Sequence, residues 1–186
     1  LDEIVELFES KYIHIGGDEV PKDRWSQCPK CQKRIKENNL KDEDGLQTWF
    51  MKHFIDYLSK KGKQAICWDD VINDNTLTND TIIMTWHDSS IALQAVDQGS
   101  QVIMSPTSSN YFDFAQNAED PYEYIGGLNT LKKVYSYNPS EGFPLGKEKY
   151  ILGTQANLWT EYVHTKEELT WKLFPRLCAF SETAWT

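Results

Sequence analysis

Apolar positions along this chain recur with two periods, and their alternation predicts the fold. Leu1, Ile4, Val5 and Phe8 have the spacing of an amphipathic helix ending near residue 9. A short β-type run follows at 12–17. Residues 44–61 return to helical spacing through Leu46, Trp49, Phe50, Phe54, Tyr57 and Leu58, and Gly62 supplies the stop. Further strands are predicted at 64–68, 81–86, 101–105 and 150–158, with helices at 89–98 and 166–181. Between these lie two irregular stretches. Residues 20–43 form a polar excursion with a short basic helix around 29–38. The stretch from Pro106 to Tyr150 is about 45 residues, far longer than an ordinary connection, and holds a short helix at 128–135.

Strands thus alternate with helices, which predicts an α/β fold with a parallel sheet and helical crossovers. Two architectures use such units. A (β/α)8 TIM barrel needs eight strand–helix steps and typically about 250 residues, whereas this chain offers five steps in 186 residues. A doubly wound open sheet can use five strands, but it wants a glycine-rich phosphate loop after the first. Gly16-Gly17-Asp18-Glu19 is not that loop, and its acids would repel phosphate. Residues 1–186 show no internal repeat or low-complexity tract and read as one piece of one domain.

The candidate chemistry lies where the strands end. The first runs into Asp18 and Glu19. Neighbouring side chains on a regular strand point to opposite faces, so two adjacent working acids need a bend, which Gly16 and Gly17 permit. The second ends in Trp68-Asp69-Asp70 and the third in Trp86-His87-Asp88. The fourth feeds Asn110-Tyr111-Phe112-Asp113, and the fifth ends in Trp159-Thr160-Glu161. In a parallel α/β sheet all C-terminal strand ends share one face, where catalytic groups converge. A tryptophan at one strand end is core packing. Three, each beside an acid, favour a carbohydrate site, because aromatic faces suit the C–H faces of sugar rings. His14, in the middle of the first predicted strand, reads as a satisfied core histidine.

Composition narrows the partners. The formal net charge of −9 opposes binding to nucleic acid or an anionic membrane, since both are polyanions. No apolar run is long enough to span a bilayer, and no signal-peptide pattern is present. The chain opens on Leu1 rather than Met, which reads as a processed or excised piece. Cys28 and Cys31 form a C-x-x-C, but no second pair or matching histidines accompany it, so a structural or incidental role is expected over a zinc or redox site. No metal and no cofactor are expected. One glycosylation sequon stands at Asn79-Asp80-Thr81.

Taken together, His14 through Val20, Trp68-Asp69-Asp70, Trp86, Asn110 through Asp113, Gly126-Gly127-Leu128 through Val134-Tyr135, Gly153 through Glu161, and Pro175-Arg176-Leu177 through Glu182 to Trp185 resemble the catalytic barrel of family-20 glycoside hydrolases, the β-N-acetylhexosaminidases. In that family the Asp-Glu pair closes the fourth barrel strand. The resemblance therefore implies that this chain carries strands four to eight. Strands one to three, and the arginine upstream that holds sugar hydroxyls, are missing from it. Members of the family are often secreted, periplasmic or lysosomal.

The resemblance also implies a mechanism: exo-acting hydrolysis of terminal N-acetylglucosamine or N-acetylgalactosamine β-glycosides with retention, the substrate's 2-acetamido oxygen attacking C1. Glu19 is implied as general acid/base and Asp18 as the acceptor of the acetamido N–H. Tyr111 would hold the acetamido carbonyl. Trp68, Trp86 and Trp159 would box the sugar, and Asp113 and Glu161 would bind its C4 and C6 hydroxyls. Partners are N-acetylhexosamine-containing glycans, together with a second copy or the missing barrel half. Other readings are a non-catalytic carbohydrate-binding fragment, a glycosidase with Glu161 as carboxylate nucleophile, and a redox or zinc protein built on Cys28 and Cys31.

Overall fold

In the computed structural model, which describes residues 1–72 and 80–185, the strands pair in chain order. The elements are α1 (Asp2–Leu7), β1 (Tyr12–His14), α2 (Asp23–Gln27), α3 (Pro29–Glu37), α4 (Glu43–Lys60), β2 (Gln64–Trp68), β3 (Ile82–Thr85), α5 (Ser89–Asp97), β4 (Gln101–Met104), α6 (Thr107–Asn110), α7 (Leu131–Tyr135), β5 (Ile151–Thr154), α8 (Lys166–Leu173) and α9 (Arg176–Trp185). Asn79 of the sequon lies outside the described residues. The sheet runs β1-β2-β3-β4-β5. β1 and β2 are parallel, as are β2 and β3. A doubly wound sheet reverses its strand order at a switch point, and this sheet does not. No described helix is long and apolar enough to cross a membrane.

The chain divides into two compact units. The first comprises Leu1–Met84 and Ser90–Val102. Its longest helix, α4, begins at Asp42, whose side chain accepts the Gly45 N–H at 3.0 Å. α4 buries Leu46, Gln47, Thr48, Met51, Ile55 and Leu58. That face differs from the stripe expected from sequence. Phe50 is half exposed, and Trp49, Phe54 and Tyr57 are only partly covered. The helix is apolar on more than one side, so periodicity alone did not choose its inner face. Residues of the outer set pack laterally instead: Phe50 meets Phe54 edge-on at 4.9 Å, and Arg34 of α3 lies over Trp49 at 5.4 Å. Ala65, Cys67, Ile82, Ile83 and Met84 are buried on the strands, and Val71 just beyond β2.

The second unit comprises Thr85–Ser89 and Ile103–Thr186. Phe112, Val134, Ala179 and Phe180 form its core, with Ala156, Leu158, Leu173 and Leu177 packed against them. The predicted helix at 166–181 is two helices. Pro175 carries no N–H, and Phe174 before it is extended at φ −105 and ψ 141, so α8 stops and α9 restarts. A capping box starts α8: Thr165 Oγ1 accepts the Glu168 N–H at 3.2 Å, and Glu168 Oε2 accepts the Thr165 N–H at 3.2 Å. The strand expected over 150–158 ends at Thr154. Beyond it Gln155 N–H donates to Met104 O at 3.0 Å and Asn157 N–H to Asn110 O at 2.8 Å, and Tyr111 and Asn157 form an isolated parallel bridge rather than a continued strand.

Candidate active site

In the first unit the strand predicted over 12–17 is shorter, and its tail becomes the turn carrying the acid pair. Pairing continues briefly past β1, since Ile15 N–H donates to Ile66 O at 2.9 Å and Gly16 O accepts from Trp68 N–H at 3.1 Å. The backbone then turns left-handed, with φ +73 at Gly16 and +108 at Gly17. Two side chains hold the turn. Gln47 Nε2 of α4 donates to Gly17 O at 2.6 Å, and Asp70 Oδ1 accepts the Glu19 N–H at 3.1 Å. Glu19 itself has φ +47. For a residue with a Cβ, that conformation is uncommon and costs of order 1 kcal/mol or more. Asp18 and Glu19 are both exposed at this turn.

Trp68, at the end of β2, is buried and meets the His14 ring edge-on at 4.9 Å. His14 is not the core histidine expected from sequence. It is the last residue of β1 and is exposed, and its Nδ1 accepts the Gly16 N–H at 3.1 Å. Crowding around the ring pushes its pKa below the ordinary value, and the Asp18 charge opposes that shift. The pairing with β2 ends two residues further on, at the glycines. The imidazole therefore caps the turn.

The second unit holds the other candidates. Tyr111 is buried, with its ring 6.5 Å from that of Trp159. Trp159 is 43% exposed, and both it and Glu161 lie past the end of β5 rather than on it. Asp113 is 4% exposed, so it is not a solvated loop acid. Burial pushes its carboxyl up to about 6, and the nearby Glu161 adds to this; N–H groups of Asp113 and Trp159 and the Lys172 charge act the other way. Asp113 Oδ1 has no hydrogen-bond partner among the described residues. A substrate hydroxyl is the kind of donor such an atom lacks. Trp86 is half-buried, with its ring 3.8 Å from that of His87.

A partly buried polar network centred on the buried Asn110 and Asn157 precedes and follows Tyr111. Asn110 Nδ2 donates to Thr154 Oγ1 at 2.8 Å and to Gln155 O at 2.9 Å, while its Oδ1 accepts from Ser109 Oγ at 2.8 Å. Asn157 Nδ2 donates to Ser105 Oγ at 2.7 Å, and Phe112 N–H donates to Asn157 O at 2.7 Å. Sequence reasoning missed Gln47 and left Asp70 outside the site. The Trp-Asp-Asp run was the available signal for Asp70, whereas a lone glutamine in a helix gave none for Gln47. Cys28 and Cys31 are free, half-buried thiols, Cys28 being the N-cap of α3.

A sheet in unbroken chain order, with the acid pair on the turn beyond its first strand, is the plan of a parallel α/β catalytic domain. The comparisons give the family. The profile of glycosyl hydrolase family 20, catalytic domain, matches residues 1–186, and the chain belongs to that family. A beta-hexosaminidase of Porphyromonas gingivalis is 42% identical over 190 residues, covering 100% of this chain and 24% of that protein. The crystal structure of a family-20 exo beta-N-acetylglucosaminidase from Vibrio harveyi in complex with N-acetylglucosamine superposes with a TM-score of 0.89 at 34% identity, covering 100% of this chain and 30% of that one. A beta-N-acetylhexosaminidase from Bacteroides fragilis gives 0.86 at 35% identity, covering 99% of this chain and 38% of that one. The chain thus spans between 24% and 38% of the length of these relatives.

Proposed function

We propose that the protein carrying this chain removes terminal N-acetylglucosamine or N-acetylgalactosamine from the ends of β-linked glycans, with retention of configuration. The reaction starts when the substrate's own 2-acetamido oxygen attacks C1. Glu19 protonates the departing glycosidic oxygen, and an oxazolinium ion forms. Glu19 then deprotonates the water that opens this intermediate. Asp18 accepts the acetamido N–H, orients the group and offsets the positive charge. Tyr111 donates to the acetamido carbonyl. Trp68, Trp86 and Trp159 pack on the sugar and its methyl group. Asp113 and Glu161 take hydroxyls at the non-reducing end, which makes the cut exo-acting.

The observation that carries this reading is the turn at 16–19, where two left-handed glycines and a left-handed Glu19, pinned through its N–H by Asp70, set adjacent acids beyond a strand end. Strain held at such a place by surrounding hydrogen bonds is the mark of a functional residue. The test is Glu19→Gln. It should cut turnover about 10²–10⁴-fold on substrates with poor leaving groups and far less on activated aryl glycosides, which need little protonation. Equal losses on both classes would remove Glu19 from the acid role.

In this reading the chain supplies strands four to eight of a (β/α)8 barrel. The unreversed strand order and the share of each relative that is covered support that assignment. Exposed sheet edges then favour pairing with the rest of the barrel or with a second copy. Light scattering on residues 1–186 should report association or poor stability, and a stable monomer with full activity would overturn the assignment.

A further inference from the structure

We propose that Lys172 and Arg176 are positioning residues of the substrate site, two buried cations that hold the 111–114 backbone by its carbonyls and so fix Tyr111 and Asp113. This inference rests on the function proposed above. The segment lies in no helix or extended strand, yet each of its four carbonyls accepts from a buried side chain. Asn129 Nδ2 donates to Tyr111 O at 3.0 Å. Arg176 Nη2 donates to Phe112 O at 2.5 Å, Lys172 Nζ to Asp113 O at 3.3 Å, and Arg176 Nη1 to Phe114 O at 3.0 Å.

The same cations tie the segment to its surroundings. Arg176 Nη1 also donates to Asn129 O at 3.0 Å, and so holds the residue that holds Tyr111. Lys172 Nζ donates to Glu123 O at 2.7 Å. Arg176 reaches back to Lys172 O from Nε at 3.2 Å and from Nη2 at 2.7 Å, which locks the two helices across the Phe174-Pro175 break. The guanidinium lies over the Phe112 ring at 5.0 Å.

Arg176 is fully buried and Lys172 is 1% exposed. Burying two cations is costly, and neutral donors could have served the carbonyls alone. What a cation adds is charge beneath Asp113. The charged groups acting on that carboxylate and on the two cations are Glu161, Asp120 and Glu168 on the acidic side, with Lys172 and Arg176 opposing them. The cations thus both aim the 111–114 segment and favour the ionised Asp113 that a sugar hydroxyl can donate to.

The experiment measures kcat and KM against pH on an aryl N-acetyl-β-glucosaminide for the full-length protein, for Lys172→Gln and Arg176→Lys, and for Lys172→Gln combined with Asp113→Asn. Lys172→Gln keeps a donor and loses the charge. It should lower kcat/KM about 10–100-fold, the scale of a misplaced binding group, and move the acidic limb of the profile to higher pH. That limb shift should vanish in the Asp113→Asn background, which a merely structural lysine would not produce. Arg176→Lys keeps charge but not the fork, and should lower kcat/KM without moving the limb. Folded variants with kcat/KM within twofold of the parent, or a limb shift that persists without Asp113, would overturn the inference. If Lys172→Gln does not fold, an unchanged kcat/KM in Arg176→Lys has the same force. Failure of the parent protein to cleave the substrate would instead overturn the proposed function.

Discussion

Replacing Gly17 by alanine tests whether the turn carrying Asp18 and Glu19 is built as described. Two costs can be worked from the structure. Gly17 has φ +108, where a Cβ is strained, and for L residues this costs about 1–2 kcal/mol. A Cβ built there would lie 2.7 Å from Val71 Cγ1 and 3.0 Å from Met51 Cε. Both neighbours are buried, so overpacking adds about 1–3 kcal/mol. The total is about 2–5 kcal/mol. Gly62→Ala is the control, because φ there is +72 and nothing lies within 4 Å of the added Cβ, so only the conformational cost applies. Urea unfolding of both variants measures the difference. Activity should fall with Gly17→Ala even at temperatures where the variant is fully folded, because relief of the clash must move the Asp18–Glu19 turn. If Gly17→Ala costs no more than Gly62→Ala, the close packing of the turn on Val71 and Met51 is wrong. If it is destabilised yet fully active, the geometry of the turn does not position the acids.

Asp113 should shape stability against pH. Its folded-state pKa of about 6 exceeds the ordinary 3.8, so the folded protein binds more protons between those values, and stability should fall as pH rises from about 4 to about 6 and then level. Asp113→Asn should abolish that slope, worth at most about 3 kcal/mol, and identical urea midpoints against pH for both proteins would refute it. Asn110→Ala should cost about 2–4 kcal/mol in thermal or urea unfolding, since it removes a fully buried amide, leaving Thr154 Oγ1 without its donor and the buried Ser109 Oγ without its acceptor; a loss below about 1 kcal/mol would show the network to be dispensable. A thiazoline analogue of the cyclised intermediate should inhibit at least about 10²-fold more tightly than N-acetylglucosamine. A glucoside lacking the acetamido group, if cleaved as fast as its 2-acetamido counterpart, would rule out substrate assistance.

The sequence by itself determined the order of elements. Alternating periods located each strand among the described residues, and β2 matched its predicted bounds at Gln64–Trp68. The reason is that burial of one face is written locally, in the spacing of apolar residues. The glycine pair before Asp18 and Glu19 was legible too, because only glycine adopts such backbone freely. Other features needed the fold. Which side of α4 turns inward depended on what packs against it, since that helix is apolar on several sides. The bond from Asp70 to Glu19 joins residues 51 apart, and those from Arg176 to the 112–114 backbone join residues 62 and 64 apart. No local pattern encodes such contacts. Asp113 stands among residues that form no regular element, so local pattern could not show that it is buried; that was decided by the fold, which sets Lys172 of α8 and Arg176 of α9 against the 112–114 backbone.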